Sequence, residues 1–148
     1  MKNLIVTLSV MAVTALTPVL ANKTQEDPRT ETVFAKQFSG AENVKWTNLE
    51  DGFQKASFTL GGIRVEAYFN SEGELAGAVR NLFYSQLPLT IIQSVSSKFA
   101  DAVVTEVREI SNTEGTSYRI VLEQKDKKYS LKLNSQGEII ESVKTKKK

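Results

Sequence analysis

The sequence predicts an α+β fold of two tandem repeats, each one helix followed by a four-stranded antiparallel sheet, and three observations lead there. The first is a pair of alternating runs, Gln54 to Leu60 and Ile63 to Phe69, separated only by Gly61-Gly62. A two-residue turn of this kind needs positive φ, which glycine adopts without Cβ strain, and it sets Leu60 opposite Ile63. The second is a self-match 64 residues further on. Phe58, Val65, Ala67 and Phe69 are answered by Leu122, Tyr129, Leu131 and Leu133, and Asn70-Ser71-Glu72-Gly73-Glu74-Leu75 by Asn134-Ser135-Gln136-Gly137-Glu138-Ile139. The third is an apolar stripe at helical spacing ahead of each matched segment. One short helix on four strands buries too little by itself, so the two units are expected to share a core or to form one continuous sheet.

In chain order, residues 1–21 read as a secretory signal peptide. Lys2 gives a positive start, an apolar run extends from Leu4 to Leu16, and Val19-Leu20-Ala21 supplies small-residue cleavage chemistry before Asn22. The run is interrupted by Thr7, Ser9 and Thr14 and stops at Thr17-Pro18, short of the roughly 20 residues a membrane span needs. Residues 22–29 form a polar leader, with Asp27 placed to cap a helix whose first residue is Pro28. The first repeat is expected over residues 30–84. Val33, Phe34, Phe38 and Ala41 share one side of its helix, Val44-Lys45-Trp46 begins a strand, and Glu50-Asp51-Gly52 turns into the hairpin.

Within that hairpin the alternation separates two faces. Leu60/Ile63, Phe58/Val65 and Ala56/Ala67 point to the core, whereas Thr59/Arg64, Ser57/Glu66 and Lys55/Tyr68 point to water. A third strand follows from Leu75 to Leu82. The second repeat spans 85–143: a helix opening at Leu87-Pro88 with Leu87, Ile91, Val95 and Phe99 four apart, a strand from Thr105 to Ile110, and three further strands from Tyr118 to Val143. Here Lys125-Asp126 replaces the glycine pair, so the turn pins the register less firmly. Residues 144–148 are a basic, solvated tail.

These residues resemble a known family. Phe34-Ala35-Lys36-Gln37-Phe38, Ala41-Glu42-Asn43-Val44-Lys45-Trp46, Asp51-Gly52-Phe53, the Gly-Glu turns and Leu87-Pro88 are similar to the exported PepSY-like proteins of Bacteroidetes, also described as resembling β-lactamase-inhibitor protein. The resemblance implies tandem helix-plus-four-strand repeats and a periplasmic or secreted location. It does not imply inhibition of a β-lactamase. Ser39, and Phe99-Ala100-Asp101, depart from the family's aromatic-proline pattern at the helix ends.

Composition narrows the chemistry. The 148 residues contain no histidine and no cysteine, which excludes Ser-His-Asp and Cys-His nucleophiles, imidazole or thiolate metal sites, haem ligation and disulfides. No metal and no cofactor is expected. Without the signal peptide 18 basic and 17 acidic residues remain, a balance unlike that of a nucleic-acid binder. Glu50-Asp51, Glu72, Glu74 and Glu138 lie beside glycine turns but lack the alternating oxygen ligands of a calcium loop.

The function expected is therefore that of an exported, non-enzymatic binding module that grips a protein partner through the polar face of its sheet. The partner-binding residues are Lys55, Arg64, Glu66 and Tyr68 in the first unit and Arg119, Lys128 and Lys132 in the second. Two alternatives compete, an envelope protein that binds a glycan or lipid surface and a small hydrolase using carboxylates. Trp46, Phe83 and Tyr84 are further aromatic candidates for an interface, with Trp46 and Phe83 as readily explained by covering a helix or rimming the sheet.

Overall fold

A computed structural model describes residues 28–146. The expected signal peptide, the leader as far as Asp27, and Lys147-Lys148 lie outside them. Among the described residues two α-helices, α1 (Pro28–Gln37) and α2 (Leu89–Lys98), accompany eight strands: β1 (Glu42–Asn48), β2 (Gln54–Leu60), β3 (Ile63–Phe69), β4 (Leu75–Asn81), β5 (Val103–Asn112), β6 (Gly115–Gln124), β7 (Lys127–Asn134) and β8 (Ile139–Lys146). The proline expected at the first helical position does open α1. Pro88 stands just ahead of α2, and its carbonyl accepts the N–H groups of Ile91 and Ile92.

The β2–β3 hairpin has the register its glycine pair dictates, with Leu60 opposite Ile63, Phe58 opposite Val65 and Ala56 opposite Ala67. In the β6–β7 hairpin Lys125 itself adopts positive φ, 55°, and Leu122 meets Tyr129. Each polar turn that follows is organised by an asparagine. Asn70 Oδ1 accepts the N–H groups of Glu72 (3.0 Å) and Glu74 (2.9 Å), and Asn134 Oδ1 those of Gln136 (3.1 Å) and Glu138 (2.9 Å). The turn glycines Gly73 and Gly137 are buried, and both have positive φ. A Cβ at Gly73 would meet Thr30 of α1 at 3.1 Å, and one at Gly137 would lie 2.9 Å from the Thr90 carbonyl of α2. Each helix thus rests on the glycine of one such turn.

The expected two repeats of one helix and a four-stranded antiparallel sheet are corrected by the structure, and the units do not share a core. All eight strands form one antiparallel sheet in the order β1-β2-β3-β4-β5-β6-β7-β8. The joint is the pairing of β4 with β5, from Gly77 opposite Asn112 to Asn81 opposite Arg108. At Gly77 a side chain would stand 2.9 Å from the Ser111 carbonyl, so glycine permits the close approach. The joint is made edge to edge by backbone groups, which hydrophobic periodicity does not report. β5 also runs further at both ends than the expected Thr105–Ile110.

Both helices cover the same face of this sheet, and beneath them are two separate cores. Phe34 of α1 packs with Ala56, Phe58, Val65, Ala67 and Phe69. Leu87, with Ile91 and Val95 of α2, packs with Val107, Tyr118, Ile120, Leu122, Leu131 and Leu133. Between the cores, Arg80 stands opposite Glu109 and Ala78 opposite Ser111. The Ser111 hydroxyl lies 3.3 Å from that of Thr116. The centre of the covered face is polar.

Candidate interaction face of the sheet

The face that neither α1 nor α2 covers is built by the other half of the alternation. Its residues follow from cross-strand register: Ser57, Glu66, Val79 and Ile110 form one row across β2 to β5. A second row runs Asn81, Arg108, Arg119, Lys132, Glu141 across β4 to β8. Arg64 stands beside Asn81, one step beyond the Val65–Arg80 pair, and both line the same hollow. All seven residues named from sequence, Lys55, Arg64, Glu66, Tyr68, Arg119, Lys128 and Lys132, fall on this face.

The two ends of the face are electrostatically different. On β2 and β3, Glu66 draws its neighbours together: Lys55 Nζ lies 4.0 Å and Arg64 Nη2 3.5 Å from its Oε1, and the Tyr68 hydroxyl donates to its Oε2 at 3.2 Å. Burial raises the pKa of that phenol above its usual 10.0, and the charge and hydrogen bond of Glu66 raise it further. On β5 to β7 the cations are less compensated. Arg108 is paired with Glu106 on its own strand, while among the described residues Arg119 and Lys132 form no ion pair. Arg108 is directly opposite Arg119, and Arg119 directly opposite Lys132. Like charges in that relation oppose sheet formation by a few tenths of a kcal/mol each, roughly.

A hollow of about 140 Å³ opens where Arg64, Glu66, Val79, Asn81 and Arg108 meet. Its cause is steric: the short Asn81 side chain on β4 lies between two long arginines on β3 and β5. Asn81 and Arg108 escaped the sequence reading. Alternation around the core residue Val107 could have sent Arg108 outward, but its neighbour across β4 depends on which strand edges join.

The remaining aromatic candidates divide. Trp46 packs its ring 5.3 Å from Phe34 and 5.6 Å from Phe69, so it covers the first core. Tyr84 is half-buried at the margin of the second core, and its hydroxyl donates to the Ile92 carbonyl at 3.3 Å. Phe83 is 77% exposed in the connection between β4 and α2. Among the described residues no cluster of acidic side chains could hold a metal ion, and no helix is long and apolar enough to cross a membrane.

Several solved structures share this fold. A DUF2874 family protein from Bacteroides ovatus is 23% identical with a TM-score of 0.72, over 81% of this chain and 88% of its own. A BLIP-like protein from Bacteroides fragilis is 18% identical with a TM-score of 0.73, over 86% and 92%. A Bacteroides eggerthii protein, described provisionally as periplasmic, is 16% identical with a TM-score of 0.72, over 81% and 89%. At these identities the likeness is one of fold. No protein-family model and no curated protein matches the chain.

Proposed function

We propose that this chain is an exported, non-enzymatic binding module that holds a protein partner in the periplasm on the helix-free face of its sheet. The observation that carries the reading is the row Arg108, Arg119, Lys132, like charges aligned across three strands on a face that neither α1 nor α2 covers. Such an alignment weakens the free sheet, and an anionic partner removes the penalty by supplying the missing charge. Lys55, Arg64, Glu66 and Tyr68 form the pre-organised flank of the same surface, and Lys128 its far margin. Glu66 is held by two cations and a phenol, which favours a role in positioning Arg64 and Tyr68 over one as a catalytic carboxylate.

The B. fragilis neighbour's BLIP-like description and the B. eggerthii neighbour's periplasmic one support the binding role and the location. The PepSY-like resemblance and a signal peptide cleaved after Ala21 belong to the same proposal. Capture from envelope extract tests it. Arg64→Ala combined with Tyr68→Ala should weaken recovery of a stoichiometric protein partner while leaving the melting temperature nearly unchanged, and mass spectrometry of the envelope protein should find Asn22 at its N-terminus. Unchanged recovery moves the site off this face, retention of glycan alone supports the surface-binding alternative, and an intact Met1 overturns export with cleavage.

A further inference from the structure

We infer that the partner surface recognised here is the acidic side of a helix laid across the strands, with one carboxylate seated between Arg64 and Arg108 over Asn81. The inference rests on the protein-binding reading above and specifies its partner. Three observations carry it. The first is the hollow itself, lined by Arg64 and Arg108 together with Glu66, Val79 and Asn81. An arginine fork donates parallel hydrogen bonds to a carboxylate, and Asn81 has a further N–H donor. Glu66 and Glu106 already attend the two arginines from the sides, so the charge left to satisfy is small and a single carboxylate suits it better than a doubly charged phosphate.

The second observation is direction. The cations do not run along a strand; they run across strands, from Arg108 to Arg119 to Lys132. Neighbouring strands are about 4.8 Å apart, so this row spans about 10 Å. Side chains three and four apart on a helix are about 5 to 6 Å apart, and seven residues advance about 10.5 Å. Alternate side chains of an extended peptide recur about every 6.6 Å, out of step with the row. A helix with acidic residues at successive three- and four-residue steps therefore meets Arg108, Arg119 and Lys132 in turn.

The third is the end of the row. Lys132 is followed by Glu141 on β8, which repels an acidic helix and limits how far it extends. The cationic stretch is thus bounded on one side by Glu141 and on the other by the Glu66 cluster.

The test uses the full mature chain and two synthetic helical peptides of identical composition, one with its glutamates on a single face and one with them spread around the helix. The single-face peptide should bind at least about tenfold more tightly, a difference of about 1.4 kcal/mol, and binding should weaken as salt rises. Arg108→Ala and Arg119→Ala should each reduce that preference severalfold, whereas Lys36→Ala, on α1, should not. Because Arg119 stands among like charges, Arg119→Ala should keep or raise the melting temperature, which separates loss of binding from loss of fold. Equal binding of the two peptides overturns the inference, as does binding of both confined to low salt and insensitive to Arg108→Ala. Preference for anionic phospholipid vesicles over either peptide also overturns it. If the peptides fail to discriminate while the envelope capture still depends on Arg64 and Tyr68, the partner's shape is wrong and the protein-binding reading stands.

Discussion

Arg80 and Glu109 face each other across the line where β4 meets β5, joined by two hydrogen bonds, Nε to Oε1 at 2.8 Å and Nη2 to Oε2 at 3.1 Å. The pair occupies the gap between two hydrophobic cores on the covered face. Its neighbour in register is Tyr118, the edge of the second core. A forked pair of this geometry is worth more than a typical surface ion pair, although Arg80 is about half exposed (48%). A double-mutant cycle of Arg80→Ala and Glu109→Ala should give a coupling energy of about 1 kcal/mol, reduced at high salt. A coupling of zero would mean that the backbone pairing alone holds the two halves together.

The separation of the cores makes a second prediction. Phe58→Ala in the first and Leu122→Ala in the second should each cost roughly 2 to 5 kcal/mol, as large buried apolar side chains do. The two share no packing partner. Their effects should therefore add to within about 0.5 kcal/mol if unfolding remains two-state. Chemical denaturation of the single and double variants measures this, and strong non-additivity would show that the cores communicate through the sheet.

Gly137 combines positive φ, 89°, with a site where an added Cβ would stand 2.9 Å from the Thr90 carbonyl of α2. Gly137→Ala meets both backbone strain and a clash with main chain, so it should destabilise by roughly 1 to 3 kcal/mol. Gly62→Ala offers the comparison, since its φ of 78° carries similar strain while a Cβ there meets nothing within 4 Å. The difference between the two melting temperatures isolates the cost of crowding the helix.

Alkaline pH probes three phenols, Tyr118 buried and Tyr68 and Tyr84 half-buried. Tyr68, Tyr84 and Tyr118 all have pKa values raised above the usual 10.0, chiefly by burial. Each phenol ionises more readily in the unfolded chain, so its contribution is fully present below the unfolded pKa and is lost as pH rises through the folded one. Urea midpoints should fall above about pH 10, and Tyr68→Phe should shallow that fall. A slope unaffected by the substitution would mean that the phenol ionises as easily folded as unfolded.

Much of the local structure is legible in the sequence because it is specified locally. Gly61-Gly62 sets the β2–β3 register, alternation sorts Phe58 and Val65 from Arg64 and Glu66, and Asn70 and Asn134 announce turns whose hydrogen bonds they then make. The helices follow from stripes that end on Phe34 and on Ile91 and Val95. The choice between a shared core and one continuous sheet is not legible in this way. The sheet's joint depends on backbone pairing between Gly77–Asn81 and Arg108–Asn112, segments separated by α2, and nothing in either segment's periodicity names the other. The same limit applies to the face. Alternation assigns Lys55, Arg64, Tyr68, Arg119, Lys128 and Lys132 to it, but the hollow at Asn81 exists only because β3, β4 and β5 lie side by side.

The polar strip between the cores also has a mechanical consequence. Along it the covered face carries Ala78, Ser111 and Thr116, small side chains that belong to neither core. A change of twist about this line disturbs no large buried side chain, only the Arg80–Glu109 fork and the pitch of the β4–β5 ladder. The line passes directly behind Asn81 and Arg108, so the spacing of the arginines on the opposite face is set where neither core backs the sheet.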